Sequence, residues 1–309
     1  RLDGLTDPGF PTTEDNMLPP AKPAWKTTAA ATPEGRGAVF TSTSPEGALT
    51  YTVVPTENGL SEVTARFGDG PTFQPLAGGA LELAMPDGAG GKARLLDARL
   101  AGGSLVTKWA LGGEGADVTY QVTYQLRGRT LVVDVSCLGG RARGLRLGKV
   151  RGLPQVRGIE VPYLVVHRPP TPRVALGGKV FCSVLVDWYH SNCSVLDTTP
   201  AADEPGEDGL ALNGGTVYNP LTDGKRNELR DRVLVTVSPD FHDTLPSVAT
   251  PRSERIEELA PAMFVMSSDF TPGFYRTLKR YGLDEVLAVH FAGLWWRRAG
   301  EGFAMRWRP

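Results

Sequence analysis

The sequence has few cysteines, no long apolar run and no excess of charge of either sign. Its three cysteines, Cys137, Cys182 and Cys193, are too few for a disulfide scaffold and form no C-x-x-C zinc motif. The sequence allows one disulfide, between Cys182 and Cys193. No apolar run approaches the roughly 18 residues of a membrane-spanning helix. Lys+Arg 33 against Asp+Glu 34 give a net charge of -1. We therefore predict that neither nucleic acid nor a membrane is a partner.

Sequence motifs for metal and nucleophile chemistry are also missing. The chain contains no G-x-S-x-G, H-E-x-x-H or EF-hand pattern. Its four histidines are scattered along the sequence, at His167, His190, His242 and His290. The sequence therefore predicts no metal site and no cofactor.

The chain is rich in turn-forming residues, with Gly 37 and Pro 25 among 309 residues. This length predicts two domains or one large β architecture. Residues 1–35 are Pro-rich and lack apolar periodicity, so we predict an extended leader outside the core, with Trp25 as its candidate anchor. The start at Arg1 instead of Met indicates a trimmed chain and is compatible with a removed signal peptide.

Residues 36–258 show the alternation of apolar and polar residues that is typical of half-buried strands. In the clearest case, Asp117 to Leu126, valines, tyrosines and leucine alternate with threonines and glutamines. A turn at residues 127–129 then leads into Leu131 to Cys137, which predicts an antiparallel hairpin. Further strands are predicted at Tyr163 to His167, Val180 to Trp188 and Arg232 to Val237. With no helical alternation, this region predicts a large β-sandwich or barrel.

The pattern changes in residues 259–309. An apolar strand at 262–266, a helix from Gly273 to Tyr281 and a second strand from Glu285 to His290 predict a βαβ unit, which opens a parallel α/β domain. A (β/α)8 barrel needs about 250 residues, far more than remain before Pro309. We therefore expect that the chain is cut just inside a second domain, the alternative being a docked βα appendage.

The first polar and aromatic segment, residues 187–192, follows the predicted strand that begins at Val180. It holds Asp187, Trp188, His190 and Asn192. A sugar ring has an apolar C–H face that stacks on aromatic rings and a rim of hydroxyls that needs polar partners. These four residues are therefore candidates for saccharide binding, and the alternative is a buried Trp beside a capped turn.

The second segment, residues 216–227, is a loop rich in turn-forming, amide and charged residues. In it, Arg226 is a candidate clamp for a carboxylate or for hydroxyls. The alternative is a connection between strands that turns at Asp223-Gly224.

The third segment, residues 290–300, follows the second strand of the βαβ unit. Ligand-binding loops of barrel enzymes lie at this end of the parallel strands. The candidate saccharide contacts here are His290, Trp295, Trp296 and Arg298.

These segments carry a resemblance to a known family. Residues 186–194, residues 218–227 and the barrel-like strands ending at His290, with Trp296, Arg298 and Gly300 beyond, resemble bacterial multidomain glycoside hydrolases related to the endo-α-N-acetylgalactosaminidases. The likeness covers residues 37–309 in organisation and only these stretches in detail. It implies a mainly β fold, namely a large antiparallel β-supersandwich similar to galactose mutarotase (36–258), followed by the first βαβ elements of a catalytic (β/α)8 barrel (259–309).

The resemblance implies a non-catalytic N-terminal part of a glycoside hydrolase that packs on the barrel and lends a loop to the saccharide cleft. Its partners would be an oligosaccharide and, as a second polypeptide, the rest of the enzyme. The catalytic carboxylates of such enzymes come from later barrel strands, so we assign no catalytic residue; Asp187 and Glu285 would be candidates only in a complete chain. Two alternatives stay open, a free-standing carbohydrate-binding module and a mutarotase-like enzyme that uses His and carboxylate groups.

Overall fold

The fold divides the chain into two units, Arg1–Ala249 and Thr250–Pro309, near the predicted boundary at residue 258. The computed structural model describes residues 17–19, 21–55, 60, 63–84, 93–112, 117–161, 171–197, 200, 209–246, 264–267, 271–283 and 287–290.

The first unit is built from strands. In chain order they are β1 (Lys26–Ala31), β2 (Ala38–Ser44), β3 (Gly47–Val53), β4 (Val63–Phe67), β5 (Gln74–Ala77), β6 (Ala80–Leu83), β7 (Ala93–Ala101), β8 (Ser104–Leu111), β9 (Val118–Arg127), β10 (Thr130–Cys137), β11 (Ala142–Arg146), β12 (Lys149–Arg151), β13 (Arg157–Glu160), β14 (Arg173–Gly177), β15 (Val180–Asp187), β16 (Val195–Asp197), β17 (Leu210–Ala211), β18 (Gly215–Val217) and β19 (Leu229–Ser238). Short 3₁₀ helices follow β15 at Trp188–His190 and β19 at Phe241–Thr244.

The largest sheet has eight strands in the order β13-β14-β15-β19-β10-β9-β8-β7, all antiparallel. Smaller sheets have the orders β1-β2-β3-β4, β16-β18-β11-β6 and β17-β12-β5. The predicted hairpin is confirmed as β9 and β10, in which Arg127 pairs with Thr130. The prediction of a mainly β, sandwich-like architecture with large antiparallel sheets is thereby confirmed.

The core of this unit joins inward-facing side chains from all four sheets in one apolar cluster. Alternation places them there: Val118, Tyr120, Val122, Tyr124 and Leu126 of β9 are all buried in it. Because successive residues of a strand point to opposite faces, the polar residues between them lie on the outer face of the eight-stranded sheet.

The outer face of the eight-stranded sheet is apolar in one place. Val132, Leu185 and Leu234 are cross-strand neighbours there, and Met17, fully buried, packs on them. In the sheet β1-β2-β3-β4, β1 is an edge strand that pairs with β2, and Trp25 immediately before it is buried. The predicted leader therefore contributes two buried side chains, Met17 and Trp25, and the strand β1 to the unit, contrary to the prediction that it lies outside the core.

One end of the neighbouring strands β10, β15 and β19 is organised around Arg129 of the β9–β10 turn. We call it the closed end. The guanidinium is only 2% exposed and donates to Ser238 Oγ at 2.7 Å and to the equally buried Asp243 Oδ2 at 2.9 Å. It also donates to Ser44 Oγ at 2.8 Å and Glu46 Oε2 at 2.6 Å. The Trp25 ring covers it, with its centroid 4.5 Å from Arg129 Cζ.

The second unit contains the predicted βαβ elements, which are β20 (Phe264–Ser267), α1 (Pro272–Arg280) and β21 (Leu287–His290). The two strands pair in parallel, as predicted. Helix α1 begins after Thr271, whose hydroxyl accepts the Phe274 N–H at 3.3 Å, and Pro272 occupies its first turn. Further barrel elements are not seen in the described part of the chain, so the barrel stays a prediction.

Other sequence predictions are tested in part. The predicted strand at 163–167 and Glu285 lie outside the described residues. All three cysteines are free, so Cys182 and Cys193 are not bridged. No described helix has the length and apolar character to cross a membrane.

Candidate functional site

The candidate site begins where β15 ends. Asp187 caps the 3₁₀ helix Trp188–His190: its Oδ1 accepts the Tyr189 N–H at 3.1 Å, and its Oδ2 lies 2.9 Å from His190 Nδ1. Aspartate favours this position because its carboxylate accepts a backbone N–H that the short helix leaves without a partner. Asp187 thus fixes the histidine ring and the turn together.

The carboxyl group of Asp187 is fully buried, whereas the His190 side chain is 24% exposed. Burial raises the pKa of Asp187. The charge of His190, the Tyr189 N–H and the charge of Arg232 oppose that increase by stabilising the carboxylate. The turn therefore presents a histidine whose orientation depends on a buried acid.

Beside this turn, polar side chains form rows across the outer face of the eight-stranded sheet. Asp134 on β10 pairs in register with both Thr123 on β9 and Arg232 on β19. Arg232 Nε and Nη2 donate to the two Asp134 carboxylate oxygens at 2.7 and 3.3 Å. One step along, Ser136 pairs in register with Gln121 and Arg230. Cross-strand neighbours share a face, so the rows are continuous.

These rows and the turn enclose a polar concavity of about 300 Å³. Its lining comes from β9 (Gln121, Thr123), β10 (Asp134, Val135, Ser136), β19 (Arg230, Asp231) and the turn and its continuation (Tyr189, His190, Asn192). Tyr189 is 43% exposed at its rim. The concavity thus combines an accessible aromatic ring with donors and acceptors of both charges.

One side of the concavity is formed by residues 189–192, which we call the wall. It is anchored by Asp231, which is 3% exposed. Three hydroxyl groups donate to its carboxylate, namely Ser191 Oγ and Thr216 Oγ1 at 2.6 Å each and Tyr218 Oη at 2.8 Å. Burial raises the pKa of Asp231, and the three hydroxyl groups oppose the increase. The same bonds hold the wall to β18 and β19.

The structure brings the first two sequence segments together. The Ser194 N–H donates to the Val217 carbonyl at 2.9 Å, and the Asn219 N–H donates to Ser194 Oγ at 3.0 Å. Asn227 Nδ2 donates to the Asn192 carbonyl at 3.1 Å. The second segment is therefore hydrogen-bonded to Asn192 of the wall and to Ser194, which follows it.

The residues predicted as saccharide contacts fall into three groups. His190 and Asn192 line the concavity, and Asp187 lies beneath it as the partner of His190. Trp188 packs against the apolar cluster that contains Met17. Arg226 Nε donates to the Tyr218 carbonyl at 3.0 Å. Neither residue is among those that line the concavity. His290 ends β21, while Trp295, Trp296 and Arg298 lie outside the described residues.

Sequence reasoning did not single out Asp134, Arg232, Arg230 or the exposed Tyr189. The available signal was the alternation itself, because the polar positions of β9, β10 and β19 had to face outward. Which outward positions become neighbours depends on the strand order, and Asp134 and Arg232 are 98 residues apart.

In the described part of the chain, no group of three or more His, Cys, Asp or Glu side chains is placed to hold a metal ion. A scan against protein-family models finds no match to this chain, and neither curated proteins nor solved structures give one.

Proposed function

We propose that this chain is a non-catalytic, saccharide-binding part of a glycoside hydrolase and that the saccharide occupies the polar concavity. In this proposal the first unit is a β-supersandwich and the βαβ elements of the second are the first of a (β/α)8 catalytic barrel. The rest of the enzyme, as a second polypeptide, would be its partner and would supply the catalytic carboxylates. The observation that carries the proposal is the Asp134–Arg232 pair beside the exposed Tyr189.

The chemistry of the concavity suits a sugar. Asp134 is 45% exposed, and a carboxylate has more acceptor positions than its two bonds to Arg232 use, so it can also accept sugar hydroxyls. Tyr189 offers a ring face for the apolar C–H side of the sugar. Asn192 and Gln121 add amide groups that both donate and accept. The parallel strands and helix of the second unit match the repeating element of a barrel.

Saccharide titrations test the proposal. Isothermal titration of the chain with neutral oligosaccharides should give saturable binding, which Tyr189→Ala weakens up to about tenfold and Asp134→Asn by about tenfold or more. Tyr281→Ala is the matched control, because Tyr281 is 75% exposed in the other unit. Binding that both site variants leave unchanged would contradict the concavity as the site. Turnover of a glycoside by this chain alone would contradict the non-catalytic role.

One observation favours a second candidate function, a mutarotase-like enzyme. It is the 2.9 Å contact between His190 Nδ1 and Asp187 within the concavity wall. Anomer exchange requires removal of the proton from the anomeric hydroxyl and delivery of a proton to the ring oxygen as the bond between that oxygen and the anomeric carbon breaks. A histidine held by a carboxylate is suited to move these protons.

Proton NMR of freshly dissolved aldoses measures anomer exchange directly. The second function predicts that the chain accelerates the exchange and that Asp187→Asn lowers the rate, because the variant removes the carboxylate that contacts Nδ1 and fixes the His190 ring. Tyr281→Ala, a change at an exposed side chain of the other unit, serves as the control. Exchange at the uncatalysed rate with the unmodified chain excludes this function and leaves the binding proposal intact.

A further inference from the structure

A second cavity lies near the start of β15, whereas the polar concavity lies near its end, and the eight residues of this strand span about 23 Å. Its volume is about 450 Å³. It lies between the loop that precedes β13 and the turn that joins β14 to β15, and its lining includes Pro154, Gln155, Arg157, Leu176, Gly178 and Lys179.

The charged side chains that line this cavity are all cationic. Arg157 comes from the start of β13 and Lys179 from the β14–β15 turn, so two separate segments bring positive charge to one place. None of the lining residues is acidic. Neither cation forms an ion pair with another described residue, in contrast to Arg129, Arg230 and Arg232.

The backbone of the cavity is strained at two of its lining residues. Gln155 (φ 52°) and Lys179 (φ 65°) are the two non-glycine residues with left-handed backbone in the described part of the chain. Gly178 and Lys179 form the two-residue turn between Gly177 and Val180, with positive φ at both positions. Glycine or asparagine is the usual occupant of such positions, so a lysine there is an exception. Backbone strain of this kind concentrates at ligand-binding sites.

Close packing holds the two segments of the cavity together. A Cβ atom on Gly177 would lie 2.7 Å from the Pro154 carbonyl oxygen, and one on Gly178 would lie 3.3 Å from Leu153 Cδ1 of the same loop. The loop therefore rests directly on the turn. The relative position of Arg157 and Lys179 is consequently set by backbone contacts and not by their long side chains alone.

We propose that this cavity binds an oxyanion group such as sulfate, with Arg157 and Lys179 as its charged ligands. Two cations from rigidly joined segments, without a competing carboxylate, provide charge-assisted hydrogen bonds to several oxygens of one group. Leu176 and Pro154 add an apolar wall that can contact the carbon skeleton of a larger ligand. The oxyanion is therefore a free inorganic ion or the sulfate ester of a saccharide.

The test is a titration of ¹⁵N-labelled chain with sodium sulfate at constant ionic strength, followed by two-dimensional NMR. The amide signals of Gly177, Gly178 and Lys179 should shift saturably, whereas sodium chloride alone should not move them. Galactose 6-sulfate and galactose form the second arm. Tighter binding of the sulfated sugar than of sulfate identifies a saccharide ester as the ligand, and equal binding identifies the inorganic ion.

Lys179→Asn is the informative variant, because asparagine tolerates the left-handed backbone while the ammonium group is removed. It should weaken sulfate binding by about tenfold or more. Lys225→Asn, which removes an exposed lysine from another loop, is the matched control and should bind sulfate as the unmodified chain does. No saturable shift, or equal affinity of the Lys179→Asn variant, overturns the proposal. Tyr189→Ala should leave sulfate binding unchanged, so this test is independent of the polar concavity.

Discussion

The two ends of β10, β15 and β19 carry similar polar groups in different surroundings. At the closed end, Arg129 and Asp243 are both 2% exposed, and Trp25 covers the guanidinium. At the other end, which we call the open end, Arg232 is 19% and its partner Asp134 is 45% exposed. An arginine–aspartate pair therefore occurs at each end of the same strands, sealed at one and accessible at the other.

This difference separates an arginine–aspartate pair that holds the fold from one that can bind a ligand. At the closed end the guanidinium donates to four protein oxygens and connects the β2–β3 turn, the β9–β10 turn and the segment after β19. At the open end the acceptor positions of Asp134 reach the concavity. Burying charge is costly unless partners satisfy it, so a change at the closed end should affect stability most.

The largest expected effect is from Arg129→Met. This variant breaks the buried pair and leaves the Asp243 carboxylate with Lys22 Nζ, 2.8 Å from its Oδ1, and the Ser238 hydroxyl, which should lower the free energy of unfolding by about 3 kcal/mol. Arg230→Met is the matched control at the open end, because its pair with Glu228 is exposed and should contribute no more than about 1 kcal/mol. Urea denaturation measures both. Equal losses for the two variants would refute the distinction between the ends.

Tyr218→Phe should have the next largest effect. The variant removes one of three hydroxyl groups that donate to the buried Asp231 carboxylate, at a cost of about 1.5–3 kcal/mol in unfolding free energy. Tyr189→Phe removes an exposed hydroxyl from the same wall and should change that free energy by less than about 0.5 kcal/mol. A Tyr218→Phe variant as stable as Tyr189→Phe would show that Asp231 does not anchor the wall.

The raised pKa of Asp231 predicts a pH dependence at the open end. Because the folded chain holds this proton more strongly than the unfolded chain, its contribution to stability is present below the ordinary value of 3.8 and is lost as pH rises through the raised folded-state pKa. The slope for one proton is at most about 1.4 kcal/mol per pH unit. In urea denaturations at a series of pH values, Asp231→Asn should remove this slope. The pH dependence that remains should come from Asp187, whose pKa is also raised. An unchanged profile would contradict the assignment.

The smallest expected effect on stability is from Tyr189→Ala. Its side chain is 43% exposed, so the free energy of unfolding should change by less than about 0.5 kcal/mol. The same substitution should weaken saccharide binding. A closed-end variant should weaken saccharide binding only if it also lowers the free energy of unfolding. Thermal unfolding and saccharide titration of one preparation compare the two properties directly. A large loss of stability would place Tyr189 among the structural residues.

Much of the strand arrangement follows from local pattern. The β9–β10 hairpin, the helix α1 between parallel strands and the inward face of β9 were predictable, because apolar alternation and helical spacing depend on residues close in sequence. The burial of Trp25 agrees with its prediction as an anchor, whereas the burial of Met17 and the strand β1 were not predicted, since Met17 has no periodic pattern around it and is buried by strands far along the chain.

The candidate site shows the same division. The segment from Asp187 to Asn192 was predictable from its aromatic and polar residues after an apolar strand, and its capped turn is a local feature. By contrast, Asp134 meets Arg232 and Arg129 meets Asp243 across 98 and 114 residues of chain. Sequence by itself determined which positions are apolar, which are polar and where the chain turns. Only the tertiary structure decided which charges are sealed and which are accessible, because strand order, and not spacing along the chain, sets the neighbours of each side chain.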